Sequence, residues 1–525
     1  MQPYLQLLFG AITLAAIYAV FKSLLFNMHM FQLNGYRFST HSHWIKKNIR
    51  HYGAEAVVFA LSFTGLVRSE PLMGFCAAAL LISVLALIPN NRRGEAKKPL
   101  VYTPRVKRML FTAALLYLLS FAAAVYFLMG KFKNTAFLVI GLICALTPLF
   151  VPLANLINKP IEKGVNRHYT NEAKKLLAAC PELETIGITG SYGKTSVKFY
   201  LYTILRAWCD TLVTPESYNT PMGVVKTVRG SLRAYHKIFL CEMGAKWRGD
   251  IKELCDIVQP IHGIITALGE QHLESFGSQE NIIKTKYELC EALPENGRLY
   301  VNFDCELIRK NPPQRPFISY GTGEDCDYRA CDISVSTEGT EFTVRAPNGE
   351  AVRFETKLLG EHNVLNITGA IAAAHGFKMP LAAMRPYVRR IEAVPHRMQI
   401  VKKGGVTIID DAFNSNPAGC RAALSTLGKM EGVKILVTPG MVELGEKQAQ
   451  LNREFGEFAA ANCDYIALVG ERQTVDIKEG AAGAGFNESR FICAESFAEC
   501  MKKVYALKGG GKKIILLEND LPDNY

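Results

Sequence analysis

Thr189-Gly190-Ser191-Tyr192-Gly193-Lys194-Thr195-Ser196 lies between an apolar run, Thr185-Ile186-Gly187-Ile188, and a helix-like segment from Val197 to Trp208. The run reads as a strand. Strand, glycine turn and helix N-terminus together make a phosphate cradle: backbone N–H groups and the helix dipole face an anion, Lys194 adds a point charge, and Thr195 offers a hydroxyl to Mg²⁺. Gly190, Ser191, Tyr192, Gly193, Lys194, Thr195 and Ser196 are therefore candidate nucleotide-binding residues. The longer G-x-x-x-x-G-K-[ST] pattern is not met, because Ile188 stands where its first glycine would be. The plain alternative is a glycine-rich turn with an exposed lysine.

Beyond this stretch, strand-like and helix-like segments alternate. Candidate strands are Thr211–Thr214, Lys237–Cys241, Gly263–Ala267 and Leu299–Asn302. This rhythm predicts a mostly parallel sheet covered by helices. The short alternating segments Glu341–Ala346 and Ala351–Thr356 flank the turn Pro347-Asn348-Gly349 and read as antiparallel. Asn363–Gly376 reads as an Ala-rich helix, and a boundary is expected near Val394-Pro395-His396. A second α/β unit follows, with strands near Thr407–Asp410, Lys434–Thr438, Tyr465–Val469 and Lys513–Leu517.

Three further features stand where chemistry is done. Glu242 ends an apolar strand after the glycine turn, where a Mg²⁺ ligand is expected. His272 follows another strand and suits metal binding or polarisation of a substrate. Lys284 and Lys286 lie on a helix and, taken alone, read as a solvated face.

Upstream, the composition changes. Residues 1–170 hold 18 Lys and Arg against 4 Asp and Glu, whereas the remaining 355 hold 42 against 44. Runs long enough to span a bilayer are Tyr4–Phe26, Leu72–Ile88, Met109–Met129 and Thr135–Leu156, and Ala54–Val67 is a shorter fifth. The first lacks a basic flank and a cleavage site, so it is not expected to be a signal peptide. The basic excess lies beside these runs, in Arg37, Lys46, Lys47 and Arg50 and in Arg92, Arg93, Lys97, Lys98, Arg105, Lys107 and Arg108. It follows the positive-inside rule and gives no reason to expect nucleic acid as a partner. Five crossings would put the N-terminus outside and everything after residue 157 in the cytoplasm, where ATP is. The 14 cysteines contain no C-x-x-C and read as reduced thiols.

The ordered set of motifs resembles the Mur ligase family, most of all its MurF branch, which joins D-alanyl-D-alanine to UDP-N-acetylmuramoyl-tripeptide. The resemblance covers Thr185 to Tyr525. It rests on Thr189–Ser196, Asn219-Thr220-Pro221-Met222-Gly223, Glu242-Met243-Gly244-Ala245, His272-Leu273-Glu274 with Phe276-Gly277, and Gly360-Glu361-His362-Asn363. It also rests on Pro395-His396-Arg397-Met398, Asp410–Pro417 and Gly440-Met441-Val442-Glu443-Leu444-Gly445.

The resemblance implies roles for these positions. Lys194, Glu242, His272, Lys286 and Asn219 would be catalytic. Thr195 and Glu242 would serve one Mg²⁺, and His272 with an N-carboxylated (carbamylated) Lys286 a second. Asn363 would contact adenine, Asp411 the ribose, and Arg397 the phosphates. The apolar runs and the resemblance together predict an α-helical membrane domain (residues 1–160) followed by α/β structure. Residues 161–394 would form the P-loop, mostly parallel, ATP-binding central domain, and residues 395–525 a Rossmann-like C-terminal domain. The implied activity is an ATP-dependent carboxylate–amine ligase working through an acyl phosphate.

A multi-span region stands where MurF enzymes begin with a soluble domain for the UDP-sugar. The acceptor is accordingly expected to be a carboxylate-bearing glycan or peptide precursor, soluble or lipid-linked. The amine donor is expected to be an amino acid or dipeptide. The chain would sit in the cytoplasmic membrane, multi-pass, in contact with the lipid bilayer. Two alternatives are a poly-γ-glutamate or folate-type glutamyl ligase, and an ATP-driven transporter or sensor. The motifs at 410–417 and 443–445 disfavour the first. The near-absence of acidic residues in the spans disfavours the second.

Overall fold

The computed structural model describes residues 3–63, 79–82, 84, 99–129, 135–336, 339–403, 405–412, 415–507 and 512–520. It forms two compact units, residues 1–167 and residues 168–520.

The first unit is helical: α1 (Pro3–Leu33), α2 (Phe38–Lys47), α3 (Gly53–Ser62), α4 (Pro104–Met129), α5 (Thr135–Ala145) and the start of α6 (Thr147–Ala178). Met28, Phe31, Met109, Ala113, Ile140 and Ile143 pack inside it, while Leu14, Phe111 and Leu118 stay exposed. Among the described residues, two helices are by length and composition able to cross a membrane, Gly10–Leu33 and Pro104–Ala123, and a third span counts if the bent pair after residue 137 is one. The run expected as a span at Thr135–Leu156 is bent: Leu138–Ala145 and Thr147–Ala178 are together long and apolar enough to cross, but meet at 69°. Pro148 lacks an N–H and disfavours helical geometry at the residue before it, so the break falls at Leu146. The described part of the run Ala54–Val67 belongs to α3 as far as Ser62, and its residues 64–67 lie outside the described residues. Leu72–Ile88 and the basic loop 92–98 lie almost wholly outside the described residues.

The second unit begins with the rest of α6 and holds two sheets. The first contains β1 (Glu184–Thr189), β2 (Thr211–Val213), β3 (Ile238–Glu242), β4 (His262–Ile265), β5 (Leu299–Asn302), β6 (Ile318–Gly321), β7 (Tyr328–Ser336), β8 (Gly339–Arg345) and β9 (Ala351–Thr356). Their order is β2-β3-β1-β4-β5-β6-β7-β8-β9. Pairing is parallel as far as β7 and antiparallel through β7-β8-β9. The parallel strands are short and apolar on both faces because helices cover both; all five residues of β3 are buried. The hairpin β8–β9 closes where Asn348-Gly349 suggests, with Gly349 at φ 84°.

The helices of this part are α7 (Lys194–Leu205), α8 (Pro221–Ser231), α9 (Asp250–Val258), α10 (Leu273–Phe276), α11 (Gln279–Ala292), α12 (Glu306–Lys310), α13 (Glu361–Gly376) and α14 (Leu381–Arg389). Ala370, Ala372, Ala373 and Ala374 let α13 lie close against the sheet and α7. Because β1 has β3 on one side and β4 on the other, the chain diverges to both sides of it. A crevice opens there at the strands' C-terminal ends, the usual ligand position in such sheets.

The second sheet follows β10 (Gln399–Lys403), β11 (Val406–Asp411), α15 (Pro417–Gly428), β12 (Val433–Thr438), α16 (Gln448–Asn462), β13 (Tyr465–Val469), α17 (Glu471–Gly483), β14 (Phe491–Ala494), α18 (Phe497–Ala506) and β15 (Lys513–Glu518). Its order is β10-β11-β15-β12-β13-β14, and β10 is the antiparallel member.

Candidate active site

The chain leaves β1 at Thr189 and turns through Gly190 (φ 147°) and Gly193 (φ 79°) into α7. The helix starts at Lys194, three residues earlier than the sequence pattern suggests, because Gly193 adopts the left-handed N-cap geometry that other residues resist. A Cβ on Gly190 would come within 2.1 Å of Thr266 Oγ1, so only glycine fits beside the β4 edge. Ser191 and Tyr192 donate their N–H groups to Ala267 O at 2.7 and 3.2 Å. The Lys194 ammonium donates to Gly190 O (2.8 Å) and Ser191 O (3.0 Å), which centres the charge in the loop. Burial lowers its pKa to about 8, with Glu242 opposing that effect and Arg397 adding to it.

Glu242, at the C-terminal end of β3, is 1% exposed and is the hub. Its Oε1 accepts from Thr195 Oγ1 and from Asn219 Nδ2, both at 3.1 Å. Its Oε2 pairs with Lys198 Nζ at 3.0 Å. Asn219 is placed by the loop before α8, whose N-cap Thr220 and first residue Pro221 set the helix start. Burial alone would push the Glu242 carboxyl up. Lys198, Lys194 and the Asn219 hydrogen bond outweigh it, and Glu242 stays ionised.

Lys198 is a residue that the motif reading missed. It is fully buried one turn beyond Lys194 on α7 and also donates to Glu216 O. The available signal is its i+4 spacing from Lys194, which puts both ammonium groups on one helix face.

His272 adopts φ 55° at the N-cap of α10, and its Nδ1 is paired with Glu443 of the second sheet. Burial lowers its pKa and the Glu443 contact opposes this. The Glu443 carboxylate is held down at about 2, because His272 and Lys246 outweigh burial. The pair is thus a neutral imidazole donating Nδ1–H to a carboxylate, with Nε2 left as the basic nitrogen. Lys246 Nζ reaches Glu443 Oε1 at 2.8 Å, and Lys447 reaches Glu270 at 2.5 Å. Glu443 belongs to the motif at 440–445, but nothing in the sequence assigns it this contact.

Lys286 is not on a solvated face, as its helix pattern alone suggested: it is 3% exposed on the inner side of α11. Burial and the nearby Lys194 charge drive its pKa well down. Among the described residues its ammonium has no ion-pair partner.

The remaining candidates fall at the junction of the two sheets or inside the first. Arg397 Nη2 reaches Thr195 Oγ1 at 3.4 Å. Asp411 Oδ1 accepts from Met398 N at 3.1 Å, which ties the segment after Arg397 to the end of β11. Burial raises Asp411 to about 6. Ser196 is buried in the first turn of α7. Asn363 is buried too, and its amide is taken up by Tyr200 OH (2.8 Å) and Leu359 O (2.9 Å). In the motif at 410–417, Phe413 and Asn414 lie outside the described residues.

No three His, Cys, Asp or Glu side chains converge among the described residues. An ion here would therefore take few protein ligands, as Mg²⁺ commonly does when phosphate oxygens and water complete its shell. Thr195 Oγ1 beside an ionised Glu242, and the basic Nε2 of His272, are suitable donors.

A model of the Mur ligase middle domain matches residues 188–374, and one of the Mur ligase glutamate ligase domain matches residues 396–517. The chain belongs to the Mur ligase family. It is 33% identical over 274 residues to the UDP-N-acetylmuramoyl-tripeptide–D-alanyl-D-alanine ligase of Bacillus subtilis, covering 52% of this chain and 59% of that protein. To the ligase of that name from Escherichia coli it is 31% identical over 293 residues, covering 55% and 64%. The chain thus spans about three fifths of the length of these curated relatives. Among solved structures it is similar to MurF from Acinetobacter baumannii (TM-score 0.62, 26% identity, 68% of this chain and 77% of that one). It shares its fold with MurF from Thermotoga maritima solved with ADP (TM-score 0.61, 24% identity, 68% and 80%). The Mur ligase matches begin at residue 188, after the helical unit.

Proposed function

We propose that the chain is a membrane-anchored, ATP-dependent carboxylate–amine ligase of the MurF type, acting on a cell-wall precursor. One observation carries this reading. Lys194, Thr195, Lys198 and Asn219 gather round the ionised Glu242, and Arg397 is delivered from the second sheet onto Thr195. Such a site holds a triphosphate and a hard cation and can be completed by a second domain. Lys194 would neutralise the β- and γ-phosphates, and Thr195 with Glu242 would hold a Mg²⁺. When bound, that ion would supply Lewis-acid stabilisation of the charge on the transferring phosphoryl group.

A substrate carboxylate oxygen attacks the γ-phosphorus and ADP leaves. The amine donor then attacks the acyl carbon, loses a proton, and phosphate departs. Carboxylates are poor acyl donors, and phosphorylation provides the leaving group. Water would hydrolyse the mixed anhydride, so the seam between the two sheets is suited to exclude it. Asn363 on the adenine and Asp411 on the ribose complete the nucleotide reading.

A second Mg²⁺ on His272 and a carbamylated Lys286 belongs to the same proposal. A buried lysine without a counter-ion favours the neutral amine, the form that adds CO₂, and the carbamate would supply a carboxylate-like oxygen ligand. Residues 1–160 are proposed as a multi-pass membrane domain, with residues 161–394 and 395–525 as cytoplasmic ATP-binding and C-terminal domains. Exposed Leu14, Phe111 and Leu118 and the local basic excess support this. The acceptor is then either the UDP-linked muramoyl-tripeptide or a lipid-linked counterpart.

The test is ADP release by the full-length protein in nanodiscs. Release requiring both a carboxylate acceptor and an amine supports the ligase; release indifferent to both defeats it. Comparing UDP-linked with lipid-linked acceptors decides between them. Lys286→Ala is expected to be inactive and partly restored by small carboxylates.

A further inference from the structure

We propose that Glu443 is a positioning residue that sets His272 for metal binding, so that seating of the second sheet and assembly of the metal site are one event. The inference rests on the ligase reading above. Glu443 lies on the loop after β12, across the seam from the residues it touches. Its carboxylate takes His272 Nδ1 on one oxygen and Lys246 Nζ on the other (2.8 Å), while its backbone oxygen accepts from Glu274 N at 3.3 Å. One residue thus grips the His272 ring and the backbone just after it.

Both partners are in left-handed backbone geometry, Glu443 at φ 63° and His272 at φ 55°. Non-glycine residues hold such geometry at a steric cost and keep it where surrounding contacts over-determine it. A contact meant only to join the two sheets would not need the ring, since Lys447–Glu270 joins the same two loops without touching it.

An imidazole offers two nitrogens and rotates freely about its side-chain bonds. A carboxylate on Nδ1 fixes both the tautomer and the ring plane and leaves Nε2 for an ion. With the second sheet withdrawn, that restraint goes with it. The metal site would then be formed only when the sheet that brings Arg397 is also in place, which links cation binding to closure.

Mn²⁺ binding in the presence of ADP, followed by electron paramagnetic resonance on the full chain in nanodiscs, tests this without turnover. Glu443→Ala is expected to weaken one Mn²⁺ site about 10–100-fold. Glu443→Gln, whose carbonyl oxygen still accepts Nδ1–H, should stay within a few-fold of the parent. Lys447→Ala should bind as the parent does. In a His272→Ala background, Glu443→Ala should cause no further loss, because the two act as one unit. Parent-like Mn²⁺ affinity in folded Glu443→Ala, or a loss that adds to that of His272→Ala, overturns the proposal. If Glu443→Ala does not fold, Glu443→Asp serves: the shortened carboxylate should also lose affinity, and no change overturns the proposal. Failure of the ligase reading would show separately, as ADP release indifferent to acid and amine.

Discussion

Glu242 and Glu518 occupy equivalent places in the two sheets. Each ends a parallel strand at its C-terminal edge and each is 1% exposed. Their charge states are opposite. Glu242 meets Lys198, lies near Lys194 and is held ionised. Among the described residues, Glu518 pairs with no such cation. Burial drives its carboxyl well up, and it stands beside Asp411, which is raised to about 6. Its Oε1 accepts from Ser415 Oγ at 2.7 Å and Cys420 Sγ at 3.2 Å. Burial therefore does not decide the charge of a strand-end carboxylate; the cations that the neighbouring helix brings do. The first edge is built to hold charge, and the second favours a protonated carboxyl.

Removing a cation from the first edge should do most damage. Lys198→Met leaves Glu242 buried without its ion-pair partner and is expected to cost about 3–5 kcal/mol of stability in the metal-free protein. Chemical denaturation measures this, and Lys198→Met with Glu242→Gln should recover much of the loss. Lys194→Ala should lower kcat by about 10²–10³-fold, since it removes a preorganised cation from the transferring phosphate, while leaving the fold intact by circular dichroism.

On the second edge, the sign reverses. A carboxyl whose pKa is raised on folding stabilises the fold at pH below its unfolded value and loses that contribution as pH rises through the folded value. For Asp411 this window runs from about 4 to about 6. Glu518→Gln should flatten the dependence and raise stability at neutral pH, as read by chemical denaturation. Glu242, lowered on folding, contributes above about pH 4.5 and loses its contribution on acidification. Hydrogen exchange of β3 and β15 between pH 4 and 6.5 should therefore move in opposite directions.

A smaller pH effect is expected at Lys194. Its depressed pKa favours the fold above about 10.5 and is lost as pH falls through about 8. The nucleotide-free protein should melt higher at pH 9 than at pH 7.5, and ADP should reduce that difference. Lys447→Ala, which breaks a half-exposed pair at the seam, should shift stability by only about 0–1 kcal/mol.

Local geometry was largely readable from local chemistry. Gly190, Gly193 and the Lys-Thr-Ser that follows need particular backbone angles and a helix N-terminus, and those demands act over a few residues. The apolar runs that became β3, β4 and β5 are short and unbroken because helices cover both their faces, and Asn348-Gly349 marked its hairpin for an equally local reason. Glu242, His272 and Lys286 were found as positions, through their place after strands or through motif resemblance. Their environments were not. That Lys286 is buried rather than solvated, that Lys198 neutralises Glu242, and that Glu443 grips His272 depend on strands and loops far apart in sequence coming to one edge. The 69° break at Leu146 has a local cause in Pro148, which hydropathy alone does not register. The sequence by itself determined which turns, strands and helices form, because those obey short-range sterics and periodicity. Tertiary structure decided which charges meet, because strand order and burial set the distances and the local dielectric on which ionisation depends.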